Sequence, residues 1–185
     1  MSSLRFGDGR QRGYIQAMAE SFNTLTLATD KAQRYREVAT EIAAVLEGEP
    51  NQVARMATVA SMLASAFEHY FWTGFYVVDP VGAREMVVGP YQGTLGCLRI
   101  AFGRGVCGAA AAERRTIIVP DVEAFPGHIA CDANSRSELV TPVLGPDGDL
   151  IGVFDVDAVD LDAFDEVDAA GVATILRQTF GAPAI

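Results

Sequence analysis

From residue 30 onward the apolar positions recur at helical spacing, with Tyr35, Val38, Ile42, Val45 and Leu46 on one face. Thr29-Asp30 supplies a cap before this stripe, and Gly48 and Pro50 end it. A second stripe, Val53, Met56, Ala60, Leu63 and Phe67, predicts a second helix. The period then changes. FWTGFYVV (71–78) is aromatic and β-branched, Asp79-Pro80-Val81-Gly82 is a turn, and EMVVGPY completes a hairpin. CLRIAF (97–102) predicts a third strand, followed by GRGVCG and the alanine-rich helix GAAAAERR. TIIV (116–119) predicts a short strand, and a long loop runs from Pro120 to about Ser135. SELVTPVL (137–144) and DLIGVFDVD (149–157) pair across the turn Gly145-Pro146-Asp147-Gly148. A last helix starts near Asp162, with Phe164, Val167, Gly171, Ile175 and Phe180 set to face the sheet.

Two helices, a run of strands with one inserted helix, and a closing helix predict an α+β domain built on an antiparallel sheet. Residues 1–28, polar and glycine-bearing, are an extension, loosely ordered or partly helical, and 29–181 form one domain. At 185 residues and 50% hydrophobic content the chain can bury a core without disulfides or metal. Lys+Arg is 14 against Asp+Glu 24, a formal charge of -10, with no basic patch. That balance argues against nucleic acid and anionic lipid as partners. There is no apolar run of 18 residues and no secretory pattern, which predicts a cytoplasmic protein with reduced thiols.

Four features bear on chemistry. Gly103-x-Gly105-x-x-Gly108, with Asp121 downstream, matches a dinucleotide fingerprint, but that fingerprint needs a parallel βαβ unit and the flanking hairpins argue against one. In FDVD, Asp155 and Asp157 are two apart and share a strand face, with Glu138 able to join them across the ladder. They are either a solvated strand end or a cation-binding and proton-donating group with split proton affinities. Cys97, Cys107 and Cys131 fit no CxxC pattern. Each is either a small buried hydrophobe or a redox thiol, with Cys107 favoured for thiolate by its glycine-rich helix N-terminus. Trp72 and Tyr76 are core or an apolar wall, and His128 either orients the loop or helps Cys131. Two histidines in all argue against a metal site.

The runs VGPYQG (88–93), Cys97, GRGVCG (103–108), DVEAFPGHIACDANSRSE (121–138) and GVFDVD (152–157) closely resemble the free methionine-(R)-sulfoxide reductases, small enzymes on a GAF fold. The likeness spans about residues 30–180, with Ala158 where serine is expected. It implies a six-stranded antiparallel sheet with N- and C-terminal helices on one face, a homodimer, and no bound cofactor. It implies free L-methionine (R)-sulfoxide as substrate, its ammonium held by Glu138, Asp155 and Asp157 and its side chain by Trp72 and Tyr76. Cys131 is then the nucleophile, with Cys107 as the second choice, and Cys97 is the resolving thiol. Glu138 or Asp157 is the proton donor. Thioredoxin, fed by NADPH through thioredoxin reductase, is the external reductant. The competing readings are a small-ligand GAF sensor and a cysteine redox sensor without turnover.

Overall fold

The computed structural model describes residues 31–79, 84–129 and 131–181. The 1–28 extension, the Thr29-Asp30 cap and most of the turn after Asp79 lie outside the described residues. Helix α1 spans Lys31–Val45 and α2 spans Gln52–Ala66, the latter capped by Asn51, whose side chain accepts from the Ala54 N–H. The strands are β1 (Trp72–Val78), β2 (Glu85–Gln92), β3 (Arg99–Ala101), β4 (Ile117–Val119), β5 (Ser137–Leu144) and β6 (Leu150–Ala158). Helix α3 (Gly105–Glu113) lies between β3 and β4, and α4 (Glu166–Phe180) closes the domain. Asp165 and Asp168 form a reciprocal capping box at the start of α4.

The strands form one antiparallel sheet in the order β3-β2-β1-β6-β5-β4. Period-two alternation then divides each central strand between two faces. Phe75 and Phe154, cross-strand neighbours with ring centroids 5.2 Å apart, turn towards the terminal helices and meet Phe180 of α4. Trp72, Tyr76 and Val153 occupy the other face, where α3 packs through Val106, Cys107 and Ala110. The inserted helix thus covers the opposite side of the sheet from α2 and α4. An all-antiparallel sheet has no parallel βαβ unit, so the glycine fingerprint is only the entry to α3. Gly108 is required there because a Cβ would collide with the Ala101 carbonyl.

Several expectations shift. Val45, Val53 and Val167 are exposed, because their stripes run past the point where each helix meets its neighbour. Gly171 faces Tyr35 of α1, not the sheet; any side chain there would strike that ring. The third strand is three residues long, which places Cys97 in the loop before it. The last helix starts at Glu166 rather than near Asp162, since Asp165 is its cap. The long loop carries a 3-10 turn at Val122–Ala124.

Candidate active site

Alternation along β6 sends Phe154 and Val156 into the core and Asp155 and Asp157 to the α3 side. In the ladder, Glu138 of β5 stands opposite Asp157, and Trp72 of β1 flanks Asp157 on the other side. Three carboxylates therefore converge by strand register alone. Glu138 and Asp155 are each only 5% exposed, which removes the solvated-end reading for this pair. Ala158, next along the strand, points to the opposite face and is fully buried.

Helix α3 lowers Cys107 onto this cluster, with its Sγ 3.9 Å from Glu138 Oε1. The donor atoms of Cys107, Glu138 and Asp155 lie within 4.8 Å of one another, the one described cluster whose atoms approach closely enough to hold a metal ion. Burial raises Glu138 well above the ordinary carboxyl range, and the Asp155 and Asp157 charges add to it. Burial also lifts Asp155 to about 7. Asp157 rises for the same reason and through repulsion by Asp155, opposed by a hydrogen bond from Ser135. The Cys107 thiol is pushed well up by burial and by Asp155 and Glu138. The helix N-terminus therefore does not make Cys107 the favoured thiolate; burial first, and then the tertiary carboxylates, overrule the local dipole. Asp155 Oδ1 is buried with no hydrogen-bond partner.

Two loops complete the pocket. Cys97 and Cys131, 34 residues apart, are joined by a disulfide with a Cα separation of 5.3 Å. Cys131 is exposed and Cys97 half-buried. The Cys97 loop is held from below: Trp72 Nε1 donates to the Thr94 carbonyl at 3.1 Å, and the Tyr76 hydroxyl accepts from the Cys97 N–H. Thr94 Oγ1 in turn donates to Asp132 Oδ2 at 2.6 Å, which ties this loop to the one bearing Cys131. Asp132 Oδ1 accepts from the Asn134 backbone and side chain, and these bonds, with that from Thr94, hold its carboxyl below the usual range. Trp72 stacks between Tyr76 and Tyr91 at 5.7 and 5.2 Å. Gly96 fits where a Cβ would lie 3.0 Å from the Tyr76 hydroxyl. His128 Nε2 is 3.9 Å from Glu138 Oε2, and burial lowers its pKa. Trp72, Tyr76, Gly96, Cys131, Asp132 and His128 line one small pocket with the carboxylate cluster. Arg104, Gly105 and Val106 at the start of α3 also line it, and this helix N-terminus has no side-chain cap.

Residues 23–179 match the GAF domain family. The chain is 35% identical over 149 residues to the free methionine-R-sulfoxide reductase of Escherichia coli, covering 80% of this chain and 88% of that one. It is 41% identical over 126 residues to that of Saccharomyces cerevisiae, covering 66% and 70%. The solved structure of the Neisseria meningitidis free methionine-R-sulfoxide reductase in complex with its substrate superimposes with a TM-score of 0.77. It is 48% identical and covers 83% of this chain and 90% of that one. The chain belongs to the GAF-type free methionine-(R)-sulfoxide reductases.

In this reductase the structure brings together Cys107, Cys131, Glu138, Asp155, Asp157, Trp72 and Tyr76 around one pocket, with Cys97 joined to it through its disulfide to Cys131. Sequence reasoning did not assign Arg104, Ser135 or the Thr94–Asp132 bond. Ser135 and Asp132 lay within a motif already singled out. Thr94 carried no signal, because its partner is 38 residues away.

Proposed function

We propose that this chain reduces free L-methionine (R)-sulfoxide to methionine by cysteine chemistry. The observation that carries the reading is Asp155 Oδ1, a buried acceptor without a partner, beside Glu138 and Asp157 in the pocket that Cys107 and Cys131 also line. A buried acceptor left unmet costs roughly 1–3 kcal/mol, which an arriving ammonium group recovers. Free methionine sulfoxide brings that ammonium, and a residue within a peptide chain does not. Its α-carboxylate is complementary to the first turn of α3, which no N-cap side chain meets and which lines the pocket with Arg104. Trp72 and Tyr76 form the apolar wall for the side chain.

With the disulfide reduced, the Cys131 thiolate attacks the sulfoxide sulfur. The oxygen leaves only if protonated, and Glu138 or Asp157, whose pKa values burial and neighbouring carboxylates raise, supplies the proton. The hydroxyl passes from the methionine sulfur to Cys131 Sγ as the bond between the two sulfurs breaks, so methionine departs and Cys131 becomes a sulfenic acid. Cys97 condenses with it, releases water and forms the disulfide. Thioredoxin, regenerated by NADPH through thioredoxin reductase, then reduces that bond. The chain acts as a cytoplasmic homodimer; among the described residues no helix is long and apolar enough to cross a membrane.

A thioredoxin-coupled assay following NADPH consumption tests this. Turnover is expected with the free (R)-sulfoxide and to be at least tenfold slower, as a rough estimate, with a blocked peptide sulfoxide. Equal rates would remove the ammonium argument, and no turnover would favour a redox sensor. In a single turnover without reductant, pre-reduced Cys97→Ser is expected to release one methionine and Cys131→Ser none. The reverse result reassigns the nucleophile.

A further inference from the structure

The two sulfurs of the disulfide are unequally placed. Cys131 is exposed, whereas Cys97 is half-buried and held through its own N–H by the Tyr76 hydroxyl. The Cys97 loop also displays two of the most exposed large apolar side chains among the described residues, Leu95 at 75% and Leu98 at 71%. They flank the cysteine at positions -2 and +1. The Leu98 carbonyl accepts from the Val88 N–H at 3.0 Å, so its backbone is fixed against β2 and the side chain is presented on a firm frame. Single exposed leucines are ordinary, but two bracketing a reducible bond on an anchored loop form an apolar rim at the point of reaction.

We infer that this rim is the landing surface for a protein dithiol, and that the incoming thiolate attacks Cys131. The inference rests on the disulfide being turned over as proposed above, and it adds where the reductant sits and which sulfur it strikes. The partner's thiolate bonds to Cys131 Sγ, the Cys97–Cys131 bond breaks, and Cys97 leaves as thiolate and takes a proton. The partner's second thiol, deprotonated, then attacks the partner sulfur of the mixed disulfide and expels Cys131. Two electrons pass to the enzyme, which regains two thiols, and the partner becomes a disulfide. The occupant is a protein whose attacking sulfur lies in an apolar surface, because a small thiol needs no rim.

Leu95 also borders the pocket, so Leu98 carries the test. Leu98→Ser is expected to raise the KM for thioredoxin about fivefold to tenfold, while turnover driven by dithiothreitol stays within about twofold of the parent chain. Thioredoxin with its second active-site cysteine replaced by serine should trap a mixed disulfide, and peptide mass mapping should place it on Cys131. An unchanged thioredoxin KM, an equal loss with dithiothreitol, or a trapped bond to Cys97 would each overturn the inference. Trapping needs no sulfoxide. The attacked sulfur is therefore tested even if the parent chain fails to reduce the sulfoxide with dithiothreitol, a result that would instead count against the reductase reading.

Discussion

Asp168 and Asp155 are both buried aspartates, and their surroundings are opposite. Asp168 is fully buried between α1 and α4, where it accepts from Lys31 Nζ at 2.7 Å, the Tyr35 hydroxyl at 2.9 Å and the Asp165 N–H at 2.8 Å. Asp155 is buried among Cys107 and Glu138, with one oxygen lacking any partner. The first carboxylate is neutralised by the fold itself. The second waits for something the fold does not provide. Burial alone therefore says little about purpose; whether the buried group's hydrogen-bonding capacity is filled separates support from recognition.

The contrast can be broken most forcefully on the Asp168 side. Asp168→Ala removes the buried acceptor that Tyr35 and Lys31 share, leaving Lys31 the exposed Asp165 carboxylate and Tyr35 the Tyr70 hydroxyl, and removes half the capping box. It is expected to cost about 3 kcal/mol and to lower Tm by roughly 6–12 °C. The KM of the protein that remains folded should not move. If Tm holds, the network contributes nothing. Asp155→Asn should behave in the reverse sense: KM for the free sulfoxide rises about thirtyfold, while thermal unfolding shows an unchanged or higher Tm. A lowered Tm with unchanged KM would make Asp155 a structural residue.

Proton linkage gives a third discriminator. The unfolded Asp155 loses its proton near the ordinary value of 3.8 and the folded one near 7, so between these the folded state holds the proton more tightly. Raising pH therefore favours unfolding across that window. This group's contribution is complete below about pH 4 and lost as pH passes about 7. Melting curves across this range should show that decline, and Asp155→Asn should flatten it. An identical slope in the variant would assign the linkage to other groups. The smallest effect belongs to the bond between the two cysteine loops. Thr94→Val should cost about 1 kcal/mol of loop juxtaposition, slowing disulfide closure about fivefold after a single turnover, as read by quench and thiol alkylation. Its sulfoxide KM should stay put; unaffected closure would show that the loops meet without that tie.

Much of this arrangement was legible because short-range rules fix it. Two-residue periodicity set Asp155 and Asp157 on one side of β6, and the Gly145–Gly148 turn joined β5 to β6 closely enough to bring Glu138 alongside. The same kind of rule misled at Cys107, where the dipole of its own helix pointed to a low pKa while burial under the sheet, with carboxylates 31 and 48 positions away, raised it. Val45, Val53 and Val167 satisfied the helical stripe, yet where a helix stops touching its neighbours is decided by tertiary placement. Gly171 gave no hint that it makes room for Tyr35. Cys97 looked ordinary because the groups that distinguish it, Tyr76 and Cys131, come from a distant strand and a distant loop.

The unmet oxygen of Asp155 sits on a central strand hydrogen-bonded on both sides, while Cys97 and Cys131 ride on connecting segments. On the proposed reading, what is recognised and how fast it reacts are thus entrusted to a hydrogen-bonded strand and to connecting loops respectively. A lineage can lengthen, shorten or retune the segments bearing the sulfurs and alter its pace, and still select the same molecule.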